Sequence, residues 1–500
     1  MPVLVKNGLV YDGRESPPQK QDILISGERI ARLGNFSKNE AREIIDATGC
    51  IVTPGFVDIN TNSDHHLSLF SEPYQEDFLR QGITTIIGGN CGFSLAPLLN
   101  GSLESINKWG DLTFLNINWQ TVKEFLNVLE KKGLGVNFGT LIGHATMRGA
   151  ITQKTHRDLT NKELESLKRI IIDSLEGGAF GLSFGLGYEN SKNIPYKELE
   201  FLAGAMSKTN KVLAIHLRDA QSNFPEALEE VLRLSRGMTV NLEISHLEPR
   251  LGFSEEYLRA KINIEKESAT SRINFDVYPF TELALPISNF LPPWLRFTSL
   301  DDADSQIRLP YLKERLLSYF LKFKPGDLLI GQTPKNLKFL EGKTLEEFSG
   351  SHDMKWPESF LKLMQLTHLK TIIFYKDIDE NVLKEFLSSS SAIISSNGAS
   401  LPLNFFKHPR NCETFPKFLS WVSKENILPI ERAVAKITSI PAKKYGIKKR
   451  GLIKEGYYAD IVVLRDNRPK EVILNGKFVL KDGIPQKILA GSILKSQQND

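Results

Sequence analysis

The sequence predicts an α/β fold: a (β/α)8 barrel joined to a small β domain made from both chain ends. Two observations carry this. The middle of the chain contains eight apolar or β-branched runs, several separated by amphipathic helical stretches. The two ends share a different texture, short β-rich runs broken by Gly, Asn and Asp turns.

In chain order, residues 1–55 carry VLVKNGLVY, DILISGERIARLG and EIIDATGCIVT, and residues 446–500 carry YADIVVL, EVILNGKFVL and the turn KDG, which together make one composite β domain. Residues 56–445 supply the barrel. Its strands are IVTPGFVDIN, ITTIIGG, VNFGTLIGH, FGLSFG, VLAIHLR, VNLEISHL, INFDVYPF and SAIISSNG. Among the helices, LTNKELESLKRIIIDSLEGG opens with a Thr160–Glu163 capping box. It places Leu164, Leu167, Ile171 and Leu175 on one face and stops at Gly177-Gly178. NFPEALEEVLRLSRG follows the same pattern and ends at Gly237. The stretch from about 285 to 370 is too long for an ordinary connection and reads as an insertion on the barrel rather than a separate domain.

Composition bounds the function. Of the 500 residues, 41% are hydrophobic and 24% charged, as in an ordinary globular chain. A net charge of +4 with scattered Lys and Arg points to neither nucleic acid nor membrane as a partner. Three widely spaced cysteines, Cys50, Cys91 and Cys412, form no disulfide framework and suit a reducing compartment. The opening MPVLVKNGLVYDG reads as strand and turn, not as a signal peptide, so a cytoplasmic protein is expected.

Barrel enzymes carry their chemistry at the C-terminal ends of the strands. Here those ends are Asn60, Cys91, His144, His216, His246, Tyr278 and Asn397, seven metal-capable or polar side chains from eight strands. Cys91, His216 and His246 offer one thiolate and two imidazoles, the three-ligand set of a catalytic zinc with an open fourth position. Such a zinc acidifies its water and polarises a carbonyl, which amide hydrolysis requires. His144 reads as a loop-holding residue bonded to a carbonyl. Arg218 and Asp219 could orient His216 as a pair. His65 and His66 are expected on the surface of a loop, and Glu248 could face the cleft.

With these residues in view, the sequence resembles the amidohydrolase superfamily, and within it the N-acyl-D-amino-acid deacylases (D-aminoacylases). The resemblance is carried by VTPGFVDINTNSD, QGITTIIGGNCGFSLAP, LIGHATMRGA, GGAFGLSFGLGYEN, HLRDA, ISHLE, FDVYPF, SSNG, HPRNCETFPKFL and GLIKEGYYADIVVL. It implies a TIM barrel of the metal-dependent hydrolase type with a β-sandwich built from both termini. It also implies a tightly held zinc on Cys91, His216 and His246, a substrate carboxylate bound by Arg410, and a substrate contact from Tyr278.

The family's second, weakly held metal uses a His-X-His pair on the first strand and an aspartate on the last, which is also the general base. This chain has Asn60, Asn62 and Asn397 at those positions. Where the family pattern reads SHHK, it has SHLE. The expectation is therefore one tightly bound zinc with the second metal site lost. Asn397 replaces the base and cannot take a proton, and removing a general base costs about 10²–10⁴ in rate. Asp64, four residues past Asn60, is the expected substitute base, with Glu248 as the other candidate. The function expected is hydrolysis of the C–N bond of an N-acyl-D-amino acid or related small amide. The alternative is an impaired pseudoenzyme that binds zinc and an acylated amino acid without efficient turnover.

Overall fold

The computed structural model describes residues 2–496 apart from 100–114, 153–156, 189–190, 192, 208, 296–298 and 352, so the end of the polar tail lies outside it. Two compact units form: Met1–Pro279 with Asn381–Leu401 and Arg410–Asp500, and Phe280–Glu380 with Pro402–Pro409.

In the first unit the chain ends share one sheet. Ile461–Arg465 pairs antiparallel with Ile51–Pro54, placing C-terminal strands beside N-terminal ones in a seven-stranded sheet. A four-stranded sheet of Arg29–Gly34, Asp22–Ser26, Val3–Lys6 and Glu43–Asp46 completes the terminal region. Val5, Ile23, Ile25, Val52, Ile461, Val463 and Ile473 form a core drawing on both sheets, because alternate residues of each strand face it.

The barrel strands are Phe56–Asp58, Ile83–Gly88, Asn137–Thr140 continuing as Ile142–Gly143, Gly181–Gly185, Val212–His216, Asn241–Ile244, Arg272–Val277 and Ala392–Ile394. Each pairs in parallel with the next. The ring closes through a parallel bridge from Thr61 to Gly398, with Asn62 N–H donating to Gly398 O at 2.7 Å. The third strand bends at Leu141, its first half bonded to the second strand and its second half to the fourth.

Helix Asn161–Glu176 has the capping box on Thr160 and Glu163 and buries Leu164, Leu167, Ile171 and Leu175. Phe224–Gly237 is likewise helical. A cluster that includes Val57, Ile59, Ile87, Val212, Ala214 and Ile393 packs with Ala442, Tyr445 and Ile447 from the chain that follows the last barrel helices.

The region expected as an insertion at about 285–370 is wider and has its own core. An antiparallel sheet of Glu282–Pro286, Ile372–Lys376 and Leu328–Ile330 packs with helices Pro310–Phe320 and Trp356–Leu366. Phe290, Phe320 and Phe360 are buried in edge-to-face contact, enough aromatic surface for this segment to bury its own faces. Among the described residues no helix is long and apolar enough to cross a membrane.

Candidate metal centre and substrate site

The residues at the strand ends converge. One ligand atom each from Cys91, His216 and His246 lies within 4.8 Å of the others. Cys91 Sγ is 3.3 Å from His246 Nε2, which is 2.7 Å from His216 Nδ1. His216 is the last residue of its strand, whereas Cys91 and His246 sit in the turns just beyond theirs.

Local sequence explains how these turns are held. Gly89 has φ +75°, and a Cβ there would lie 2.1 Å from Leu141 O, so only glycine lets the second and third strands approach this closely. Ser183 on the fourth strand accepts Gly92 N–H at 3.0 Å and donates to Gly89 O at 2.5 Å, bracketing Cys91. Cys91, His246 and Asn397 all have left-handed backbone, with φ of +54°, +36° and +46°. For non-glycine residues this costs ~1–3 kcal/mol each and concentrates at functional sites.

The electrostatics favour neutral imidazoles. Burial, with Arg250 adding to it, holds His216 down to about 4, and burial holds His246 well below the usual range. Both are then in the form that ligates a metal. Burial and the nearby Asp276 push the Cys91 thiol up to about 12, so a thiolate here calls for a cation beside it. Tyr188, which shares a hydrogen bond with Cys91, packs its ring 4.7 Å from that of His216. The donor set fits one zinc.

The positions implied for a second metal are engaged otherwise. Asn60 Nδ2 donates to both oxygens of Asp276 at 3.3 and 3.2 Å. Asn62 Nδ2 donates to Asn397 O at 2.9 Å and to Asn397 Oδ1 at 2.8 Å. These three side chains are neutral amides and bring no negative charge to the positions implied for a second metal.

Arg410 opens helix Arg410–Glu425 with its guanidinium 5.6 Å from the ring centroid of the fully buried Tyr278. Glu248 is buried, its carboxyl raised to about 7 by burial, with Arg250 and Arg410 opposing that rise, and its Oε1 has no partner. Asp64 Oδ2 accepts Gly89 N–H at 2.6 Å, which ties it to the turn that carries Cys91, and its Oδ1 is buried without a partner.

Several expectations change. His65 is 4% exposed with Nε2 3.1 Å from Phe93 O, and His66 is half-buried and held down to about 4 by burial, with His65 and Arg410 nearby. Neither is a surface residue, because the turn folds back through His66 N–H to Asn62 O and Leu67 N–H to Asp64 O. Arg218 pairs with Glu230, and the Asp219 carboxylate accepts Gln221 and Asn223 N–H. His144 begins a helix and bonds Glu198 through Nε2 at 2.9 Å in place of a carbonyl.

Asp276, Tyr188 and Glu198 escaped sequence reasoning. Asp276 had one signal, an acid on an apolar strand two residues before Tyr278. It accepts Ser395 Oγ–H and the N–H of His246 as well as Asn60, which fixes the turn carrying that histidine. Tyr188 and Glu198 had none, since their partners lie far away in sequence.

The Amidohydrolase family model matches residues 373–479. A D-aminoacylase of Alcaligenes xylosoxydans xylosoxydans is 27% identical over 470 residues, covering 92% of this chain and 87% of that protein. A D-aminoacylase structure on the role of its binuclear metal centre, described as one-metal activation and second-metal attenuation, superposes with a TM-score of 0.79 at 26% identity, covering 99% of each chain. An N-acyl-D-glutamate deacylase from Bordetella bronchiseptica, complexed with zinc and a phosphonate inhibitor, gives 0.81 at 24% identity over 99% of each chain, a likeness of fold.

Proposed function

We propose that this chain, a member of the D-aminoacylase family of amidohydrolases, hydrolyses the C–N bond of an N-acyl-D-amino acid around a single zinc ion. The convergence of Cys91, His216 and His246 carries this reading. Bound by those three residues, zinc would polarise the acyl carbonyl and acidify the attacking water.

The remaining roles belong to the chain itself. Arg410 holds the substrate carboxylate by a charge-assisted pair, and the buried Tyr278 ring supports that guanidinium. Glu248 Oε1 takes the proton from the attacking water, since it is a buried carboxylate oxygen with no partner among its neighbours. Asp64 is the second candidate for that step. Its bond to Gly89 N–H favours a role in holding the Cys91 turn. Asn60, Asn62 and Asn397 leave no charged ligand for a second cation, so one ion per chain is the expected stoichiometry.

The test is metal content together with hydrolysis of a panel of N-acyl-D- and N-acyl-L-amino acids. About one zinc per chain is expected, with turnover of D substrates and loss of both zinc and turnover in His216→Ala and Cys91→Ala. Unchanged zinc content in those variants would remove the site assignment. A zinc-loaded protein inert on the whole panel would remove the hydrolase reading.

A further inference from the structure

The hydrogen bonds at the closing seam of the barrel fix which end of each asparagine amide faces where. The backbone oxygen of Asn397 can only accept, and it lies 2.9 Å from the Asn62 side-chain amide. An amide oxygen there would face another oxygen, so Asn62 presents its NH2. The same NH2 is 2.8 Å from the Asn397 side chain, which must therefore answer with Oδ1. Asn397 Nδ2 is left turned away from Asn62, and among the described residues no protein acceptor is bonded to it.

The backbone around this amide is held as firmly. Asn62 N–H donates to Gly398 O at 2.7 Å, and Gly398 N–H donates to Ser396 Oγ at 3.0 Å. Asn397 is half-buried, in left-handed conformation, at the strand end that closes the ring carrying Cys91, His216 and His246. A carboxylate at this position could take a proton. This amide offers two N–H donors there, in an orientation set before any ligand arrives.

We infer that Asn397 Nδ2 donates a hydrogen bond to the acyl carbonyl oxygen of the substrate, with Asn62 as the positioning residue that holds the amide in this orientation. The inference rests on the proposed amide hydrolysis. Water oxygen bonds to the acyl carbon while the C=O π pair moves onto the carbonyl oxygen, and the water proton leaves to a carboxylate of the site. Collapse reforms C=O, breaks C–N and places a proton on the departing nitrogen, giving a carboxylic acid and an amine. The negative charge on the carbonyl oxygen exists only between those two events. A donor fixed in advance therefore stabilises the transition state more than the substrate. An aspartate at 397 would set a second negative charge against that oxygen.

Zinc-loaded wild type, Asn397→Ala, Asn397→Asp and Asn62→Ala are compared by steady-state kinetics, zinc content and titration with an N-methylphosphonyl-D-amino acid, whose anionic tetrahedral phosphorus imitates the charged oxygen. Asn397→Ala and Asn397→Asp should each lower kcat about 10²–10³-fold with KM little changed, and weaken the phosphonyl compound by a similar factor. Asn62→Ala should weaken it about 5- to 10-fold, the worth of one orienting hydrogen bond. Zinc content should stay unchanged in all three. Asn397→Asp turning over as fast as wild type or faster would overturn the inference, because the site would then want a base. So would unchanged analogue affinity in Asn397→Ala, loss of zinc from it, or no binding of the analogue to wild type. If wild type hydrolyses nothing yet binds the analogue, the hydrolase reading fails, while the affinity ratio still decides the role of Asn397.

Discussion

Glu198→Ala should destabilise the barrel unit by about 3–5 kcal/mol, the cost of leaving a buried charge without its partner. Glu198 is 1% exposed, and its Oε1 accepts Arg148 Nε–H at 2.8 Å and meets His144 Nε2 at 2.9 Å. Arg148 is 6% exposed, and among the described residues its guanidinium would keep only the bond to Arg157 O at 2.7 Å. His144, fully buried and stacked on Phe184 with ring centroids 4.4 Å apart, would lose the partner that sets its tautomer. Glu198→Gln keeps an acceptor but not the charge and should cost about 1–3 kcal/mol. The pH dependence has a definite sign. Burial, against the pull of Glu198, holds His144 below 6.5, so only the unfolded chain gains that proton, and stability falls as pH drops below about 6.5. Burial raises the Glu198 carboxyl, but His144 and Arg148 outweigh it and the net shift is downward. Its contribution is therefore present above 4.5 and lost as pH falls further. Urea unfolding of wild type and Glu198→Ala, followed by circular dichroism at pH 7.5, 6, 5 and 4, measures both effects as the difference between the two proteins. A Glu198→Ala loss under 1 kcal/mol at pH 7.5 would refute this account of the triad.

Three further outcomes follow from the same geometry. Arg410→Ala should raise KM about 10–100-fold, the worth of a hydrogen bond to a charged group, with a smaller change in kcat. A fall in kcat alone would take Arg410 out of substrate binding. Glu248→Gln should lower kcat about 10²–10⁴-fold, whereas Asp64→Asn should chiefly weaken the turn around Cys91 and show itself as lost zinc affinity. The reverse pattern would make Asp64 the base. Gly89→Ala places a methyl 2.1 Å from Leu141 O at a positive φ, and a loss of more than about 3 kcal/mol or insoluble protein is expected. Wild-type stability in that variant would show that the second and third strands can part.

The sequence by itself determined the elements and their order. Eight apolar runs became eight parallel strands, and the Thr160–Glu163 box capped its helix, because periodicity and capping act over a few residues that are neighbours in the chain. Strand-end position also marked Cys91, His216 and His246 before any geometry was known. Only the tertiary structure decided what those ends could do. Asp64, Glu248 and Asp276 are all acids near strand ends, yet Asp64 is tied to the Cys91 turn, Glu248 lies beside Tyr278, Arg250 and Arg410, and Asp276 anchors Asn60 and His246. Residues 280–380 could be read as a long insertion until their aromatic rings closed into a core. The asparagines at 60, 62 and 397 were legible in the sequence, but what they bond was not. Whether an asparagine presents its oxygen or its NH2 depends on a partner 335 residues away, and only folding brings that partner within 2.8 Å.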